Sequence, residues 1–170
     1  MIKYFVPDRA RILFIGINPH NGSYARGVPF SNNKTFWYLL SDSGTIREKR
    51  GFLKDDRNLK EFYAKRFSKE YGLGLLNVVD RPTRDVTSLK HGEESSGVRR
   101  IISAIKKKRP RVVCFVGKVA FQRFSSKKSV GFGWNGDIYS SAVFVMHFLI
   151  RGKASVRITE LKEVLRASLR

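Results

Sequence analysis

Four short runs of the chain are apolar almost without interruption, and they constrain the fold more than any other feature. They are Arg11–Ile17 (R-I-L-F-I-G-I), Gly74–Val79 (G-L-L-N-V-V), Arg111–Val116 (R-V-V-C-F-V) and Ala142–Phe148 (A-V-F-V-M-H-F). A strand with one face in water alternates apolar and polar residues, whereas a strand apolar at both parities is covered on both faces. Helical patterns lie between these runs. The clearest is Val98–Lys108, where Val98, Ile101, Ile102 and Ile105 share a face, Lys106–Lys108 suit the negative end of the dipole and Pro110 stops the helix. Further helices are expected from Phe36 to near Gly44, over about Asn58–Tyr71, from Gly117-Lys118 through Phe124, and over about Val156–Leu169. Strands buried on both faces and separated by helices predict a three-layer α/β/α sandwich around a central, mostly parallel four-stranded sheet. With no repeat and no linker, residues 1–170 are expected to form a single domain.

Composition narrows the class. At 170 residues and 42% hydrophobic, the chain supports a real core and is neither disordered nor collagen-like. The longest apolar run, Val143–Ile150, is interrupted by His147 and falls far short of the ~20 residues of a membrane span. The start, M-I-K-Y-F-V-P-D-R-A-R, has no secretory pattern, so an intracellular protein of the cytoplasm or nucleoid is expected. A lone Cys114 excludes a disulfide framework and any multi-cysteine metal or iron–sulfur cluster. Lys+Arg 34 against Asp+Glu 14 gives a net charge of +20, which points to a polyanion, nucleic acid first, whose phosphates release counterions on binding.

In doubly covered parallel sheets, ligands sit beyond the carboxyl ends of the strands. The loops after Ile17, Val79, Val116 and Phe148 should therefore line one cleft, bringing together Asn18, Asp80–Thr83, Gly117-Lys118 and His147–Arg151. General catalytic signatures are missing there. Neither a G-x-x-x-x-G-K-[ST] nor a G-x-G-x-x-G motif occurs, and His20, His91 and His147 lack metal-ligand spacing. No metal or cofactor is expected.

What remains is an ordered set of short motifs. Gly16-Ile17-Asn18-Pro19 ends the first strand, Gly27-Val28-Pro29-Phe30 follows, and Phe36-Trp37 opens the next helix. Downstream come Asn77-Val78-Val79-Asp80-Arg81-Pro82-Thr83, Gly117-Lys118-Val119-Ala120-Phe121 and Gly131–Trp134. This series, over about residues 10 to 168, resembles the uracil-DNA glycosylase superfamily, and within it the mismatch-specific uracil/thymine branch. That branch carries G-I-N-P, G-x-P-F, F-W, V-D-R-P-T, G-K-x-A-Y/F and G-x-x-W in this order.

The resemblance implies an enzyme that flips a nucleotide out of the duplex, holds its base and hydrolyses the N-glycosidic bond. Asn18 is then the residue that positions the attacking water. An amide orients water but hardly accepts its proton, so slow turnover is implied. Phe30 is implied as the aromatic floor under the flipped base, with backbone groups at Ile17 and Phe30 reading its polar edge. Asn77 faces the site, and Lys118, at a helix start, contacts DNA phosphate.

The sequence departs from that pattern in three places. His20 stands where the mismatch branch has glycine. The strictly uracil-specific branch has a tyrosine there that excludes the thymine methyl, so His20 either narrows the pocket in the same way or points to solvent. Ser31–Thr35 matches H-P-x-N-R only loosely, and the match does not decide which of Asn32 and Asn33, if either, replaces the branch's asparagine. The last loop, Met146–Lys153, lacks the Pro-Ser pair that grips phosphate. His147 either donates to the base or continues the buried strand. Leu149, Ile150 or Arg151 is available to fill the gap left by the flipped base, with Lys153 beside them as a DNA contact.

The expected protein is a monomeric, monofunctional DNA glycosylase that removes uracil, and perhaps thymine, opposite guanine in double-stranded DNA. It leaves an abasic site for downstream repair enzymes and has no lyase activity, no cofactor and no membrane partner. The alternative is a non-catalytic or altered-specificity binder of damaged or structured nucleic acid on the same scaffold. A hydrolase of free nucleosides is disfavoured, because such a pocket does not need so basic a surface.

Overall fold

The computed structural model describes residues 1–150 and 152–170. Its centre is one sheet of five strands in the order β2-β1-β3-β5-β4. Strands β1 (Ile12–Gly16), β2 (Leu73–Asn77), β3 (Val112–Val116) and β5 (Ser141–Met146) run parallel, while β4 (Gly133–Ile138) is antiparallel to β5. The first three are buried at every position. That is the reason their sequences show no alternation.

Helices cover both faces, and the strand side chains divide between them by parity. On one face Ile12, Phe14, Leu73, Leu75, Val112, Cys114, Phe144 and Met146 pack against α2 (Thr35–Asp42), α4 (Asp56–Phe62) and α7 (Ala154–Ser168). On the other, Leu13, Ile15, Leu76, Val113, Phe115, Val143 and Val145 meet α5 (Ser95–Lys108) and α6 (Lys118–Ser125). The expected three-layer sandwich is therefore present. Among the described residues no helix is long and apolar enough to cross a membrane.

The sheet has one strand more than expected. β4 lies outside the four apolar runs because G-W-N-G-D-I is rich in turn formers and mostly outside the core. It is an edge strand, held by pairing to β5 and by the Trp134 ring edge-on to Phe144 at 4.9 Å. Three further differences have local causes. The loop expected from Asn18 to Lys34 contains α1 (Asn21–Arg26), which buries only Ser23 and so shows no apolar stripe. Short α3 (Arg50–Lys54) buries only Leu53 and is silent for the same reason. The helix expected over about Asn58–Tyr71 is α4 followed by a π turn over Tyr63–Phe67. The wider turn sets Phe62, Tyr63 and Phe67 all around Trp37, with ring centroids 6.1, 5.9 and 5.2 Å away.

The chain leaves β1 towards β2 on one side and returns to β3 on the other. Beyond the carboxyl end of β1 the loops diverge and leave a crevice.

Candidate active site

A cleft of about 390 Å³ opens at that crevice. Its walls come from three stretches of chain: Ile17–His20 with Ser23, Phe30, Asn32 and Asn33; Asn77 with Thr83–Val86; and Phe148–Ile150.

Asn18 is held from one side. Its Nδ2 donates to Thr83 Oγ1 at 2.7 Å and to the Arg81 carbonyl at 3.1 Å. The Thr83 hydroxyl in turn donates to the Asp85 carbonyl at 2.6 Å, which leaves its lone pairs for Asn18. Thr83 is itself fixed to the first loop: its N–H donates to the Pro19 carbonyl at 3.1 Å and its carbonyl accepts from Asn21 N–H at 3.2 Å. With the amide nitrogen committed, Oδ1 is the free end of the Asn18 side chain among the described residues.

The rest of the second loop is built from ion pairs. Arg81 grips Glu93 through both carboxylate oxygens and donates to the Ser88 carbonyl at 3.0 Å. Arg100 holds Asp80 at 2.8 Å and the Asn77 carbonyl at 3.0 Å. The Arg81 guanidinium pulls the Glu93 carboxyl down to about 2. In the cleft wall, Asp85 is held below the usual carboxylate range, chiefly by the Thr87 hydroxyl.

Phe30 and Asn77 meet over Gly16. A methyl group on Gly16 would stand 2.4 Å from Asn77 Oδ1 and 2.7 Å from Phe30 Cζ, so glycine there is a condition of the site. Phe30 has φ 55, a left-handed conformation unusual for an aromatic residue. Its neighbours hold it there: Trp37 Nε1 donates to the Pro29 carbonyl at 2.9 Å, and the Ser31 hydroxyl to Val28 at 2.7 Å. The ring rests on Phe36 with centroids 4.6 Å apart.

Asn77 is buried, and its Nδ2 donates to Tyr4 Oη at 2.7 Å. Burial pushes the Tyr4 phenol well above its ordinary range, so it stays neutral. Asn77 Oδ1 is left buried without a hydrogen-bond partner. Such an acceptor costs roughly 1–3 kcal/mol unless a ligand supplies a donor.

His20 is in the cleft wall and caps α1, accepting from Gly22 N–H on Nδ1 at 3.0 Å. When neutral, its ring therefore carries its proton on Nε2. Asn33 Oδ1 accepts from Thr35 N–H at 3.1 Å, and a side-chain atom on Gly22 would meet Asn32 Oδ1 at 2.4 Å. The two amides that matched no motif firmly thus both line the cleft.

The last loop divides the residues expected there. Leu149 is 4% exposed and belongs to the core, while Ile150 is 63% exposed at the cleft edge. A buried side chain cannot enter a duplex, so of these two only Ile150 is placed as a wedge. Arg151 lies outside the described residues, and Lys153 is exposed at the start of α7.

His147 is not in the cleft wall. Glu160 accepts its backbone N–H at 3.0 Å and lies 2.7 Å from its Nδ1, and the Phe132 ring stacks on it at 3.5 Å. Lys118 covers the same Phe132 ring, its Nζ 4.2 Å from the centroid. Lys118 and His147 are thereby brought together beside the cleft, outside its lining. Gly117 serves the site by close packing on Phe148, which does line it. Sequence reasoning missed Thr83 as the anchor of Asn18, Tyr4 behind Asn77 and Glu160 behind His147. Thr83 stands in a motif expected beside Asn18, but its hydrogen bond, like the contacts of Tyr4 and Glu160, has no signal in the sequence. Among the described residues no group of three or more His, Cys, Asp or Glu side chains gathers as a metal site.

The α/β sandwich thus carries, at the topological switch point of its sheet, a cleft lined by the Phe30 ring and by two oriented amides, which is where a fold of this class places its ligand site. The family model described as the uracil DNA glycosylase superfamily matches residues 2–160, and the chain belongs to that superfamily. Its activity is accordingly of the uracil-DNA glycosylase kind, N-glycosidic cleavage with DNA as the partner.

Proposed function

We propose that the protein is a monofunctional glycosylase of the mismatch-specific branch, excising uracil from uracil–guanine mispairs in double-stranded DNA. It acts as a single-domain monomer, releases the base by hydrolysis and leaves an abasic site for downstream repair enzymes, with no lyase step.

The observation that carries this reading is the pair of amides around Phe30, each with one oxygen unclaimed by the described residues. The flipped base stacks on Phe30, with Ile17 at its edge. Asn77 Oδ1 accepts the N3–H that uracil and thymine possess and cytosine lacks. Asn18 Oδ1 accepts from a water and turns that water's lone pair towards the anomeric carbon; the new C–O bond forms as the base departs with the electron pair of the broken C–N bond, and the water's proton passes to the departed base anion through solvent. His20 limits the space beside the base, favouring uracil over its methylated counterpart. Ile150 fills the gap in the duplex, and Lys118, Arg151 and Lys153 hold phosphates.

The test is single-turnover cleavage of a labelled duplex with one uracil opposite guanine, beside duplexes with uracil opposite adenine and thymine opposite guanine. Asn18→Ala is expected to lower the rate by about 10²-fold or more with duplex affinity kept, the cost of losing the group that orients a reactant. Thymine left intact by the native protein but cut by His20→Gly would support the gate. The seating of His147 on Glu160 and Phe132, outside the cleft, favours a second reading as a binder. No cleavage of any substrate, with tight salt-sensitive binding, would select it.

A further inference from the structure

Among the described residues, the lining of the cleft carries none of the chain's excess charge. Of the cleft's lining residues only Arg84 and Asp85 carry full charges, and these are opposite in sign, while the whole chain carries +20. At the other end of the sheet a second hollow, of about 230 Å³, is lined by Arg9, Arg109, Pro110, Arg111 and Ser140. Arg9 lies just before β1, Arg111 immediately before β3 and Ser140 immediately before β5. The hollow therefore sits at the amino ends of the strands whose carboxyl ends carry the cleft. Five-residue strands rising about 3.3 Å per residue put roughly 16 Å of sheet between the two.

The three arginines are set in place by their backbones. Arg9 N–H donates to the Lys108 carbonyl at 2.7 Å, Arg109 N–H to Ile105 at 2.9 Å and Arg111 N–H to Ala10 at 2.8 Å. Arg9 and Arg109 have φ 50 and 52, a conformation that non-glycine residues adopt only when their surroundings impose it. No carboxylate answers them. Among the described residues none of the three is ion-paired, and Asp8, beside Arg9 in sequence, is engaged by Lys108 at 2.8 Å. The one side-chain partner found is the Ser168 carbonyl, which accepts from Arg111 at 2.9 Å. Lys106 and Lys107, exposed at the end of α5, extend the same positive surface. Guanidinium groups crowded without a counter-charge repel one another, and their planar forks match phosphate oxygens.

We propose that this hollow is a second phosphate-binding site, which takes the backbone of a separate DNA segment while the cleft holds the one under inspection. The inference rests on DNA being the partner and does not require the excision chemistry. A duplex seated on the cleft cannot reach the hollow around the sheet, so the two sites hold different segments. The protein then bridges segments and passes between them without dissolving freely into solution.

The experiment uses uracil-free duplex fixed to beads, loaded with the full-length protein, and a second fluorescent duplex offered for capture. Arg9→Glu with Arg109→Glu is expected to lower capture at least tenfold and to flatten its log–log salt dependence by about two or more. Excision from a single short uracil duplex should be unchanged. Lys60→Glu with Lys69→Glu makes the same charge change on exposed positions elsewhere and should keep capture within twofold. If the reversed variant fails to melt cooperatively, Arg9→Gln with Arg109→Gln serves in its place. Equal loss in both double variants, or no loss in the hollow variant, would overturn the proposal. So would saturable pyrophosphate binding that the hollow variant abolishes while the native protein captures no second duplex, which would assign the hollow to a small phosphate ligand. Because capture uses uracil-free DNA, a failure of excision and a failure of bridging are read separately.

Discussion

Asn18, which we propose positions the attacking water, shows how little of a side chain's role lies in the residue itself. Its amide is useful because Thr83 and the Arg81 carbonyl occupy the nitrogen and so determine which atom faces the cleft. Thr83→Val keeps the shape of the anchor and removes its acceptor. The expected result is a fall of about a hundredfold in kcat with KM unchanged, since misplacement of a reacting group costs about that much without weakening ground-state binding. Steady-state kinetics on the uracil–guanine duplex checks the split, and a rise in KM alone would contradict it. The motif made Asn18 visible, as it did Phe30 and His20. It gave no hint of Thr83's part, because a threonine at a strand-ending turn is equally good at bonding its own loop. His147 shows the opposite limit. Its place in the last loop suggested a base contact, yet a buried Glu160 on α7 and the ring of Phe132 take it up.

At the scale of elements, strands β1, β2, β3 and β5 were legible because burial on both faces leaves a continuous apolar run. Elements β4, α1 and α3 were not, because pairing, caps and single contacts hold them instead of a stripe. The apolar stripe of α5 was legible from Val98 to Ile105, but its closest contact, at Gly97, left no periodic trace. A methyl group on Gly97 would sit 1.6 Å from the Val78 carbonyl oxygen, so the helix rests directly on the backbone after β2. Glycine to alanine inside a helix ordinarily gains up to about 1 kcal/mol. Here the sign reverses: Gly97→Ala should cost more than about 3 kcal/mol by overpacking. That corresponds to a fall of about 10 °C in Tm, which a thermal melt reads.

The loop after β2 is also expected to respond to acid. Glu93 ordinarily titrates at 4.5 and in the folded protein at about 2, with its bond to Arg81 as the largest cause. A lowered carboxyl stabilises the fold above its unfolded value and loses that contribution as pH falls through the folded one. The Tm difference between the native protein and Glu93→Gln should therefore stay constant from neutrality to about pH 4.5 and close between there and about 2. A difference already gone at pH 5 would mean that the clasp does not form.

For the whole molecule, the order β2-β1-β3-β5-β4 puts the cleft at one end of the sheet and the arginine hollow at the other. Composition reported a strongly basic chain, but only the three-dimensional arrangement gathers Arg9, Arg109 and Arg111, none ion-paired among the described residues, at the end of the sheet opposite the cleft. The cleft also draws its walls from residues 17–33, 77–86 and 148–150, so its parts leave the ribosome at well-separated times. β5, which carries the last wall, must pair with β3 before the cleft closes. A nascent chain stalled before residue 148 can form early elements, since folding proceeds as the chain emerges. It should nonetheless excise no base, and a ribosome-arrest series assayed on uracil duplex would show activity arriving in one step once β5 and its loop are free. A protein that breaks bonds in DNA is thus kept inert during its own synthesis by the order in which its cleft is assembled.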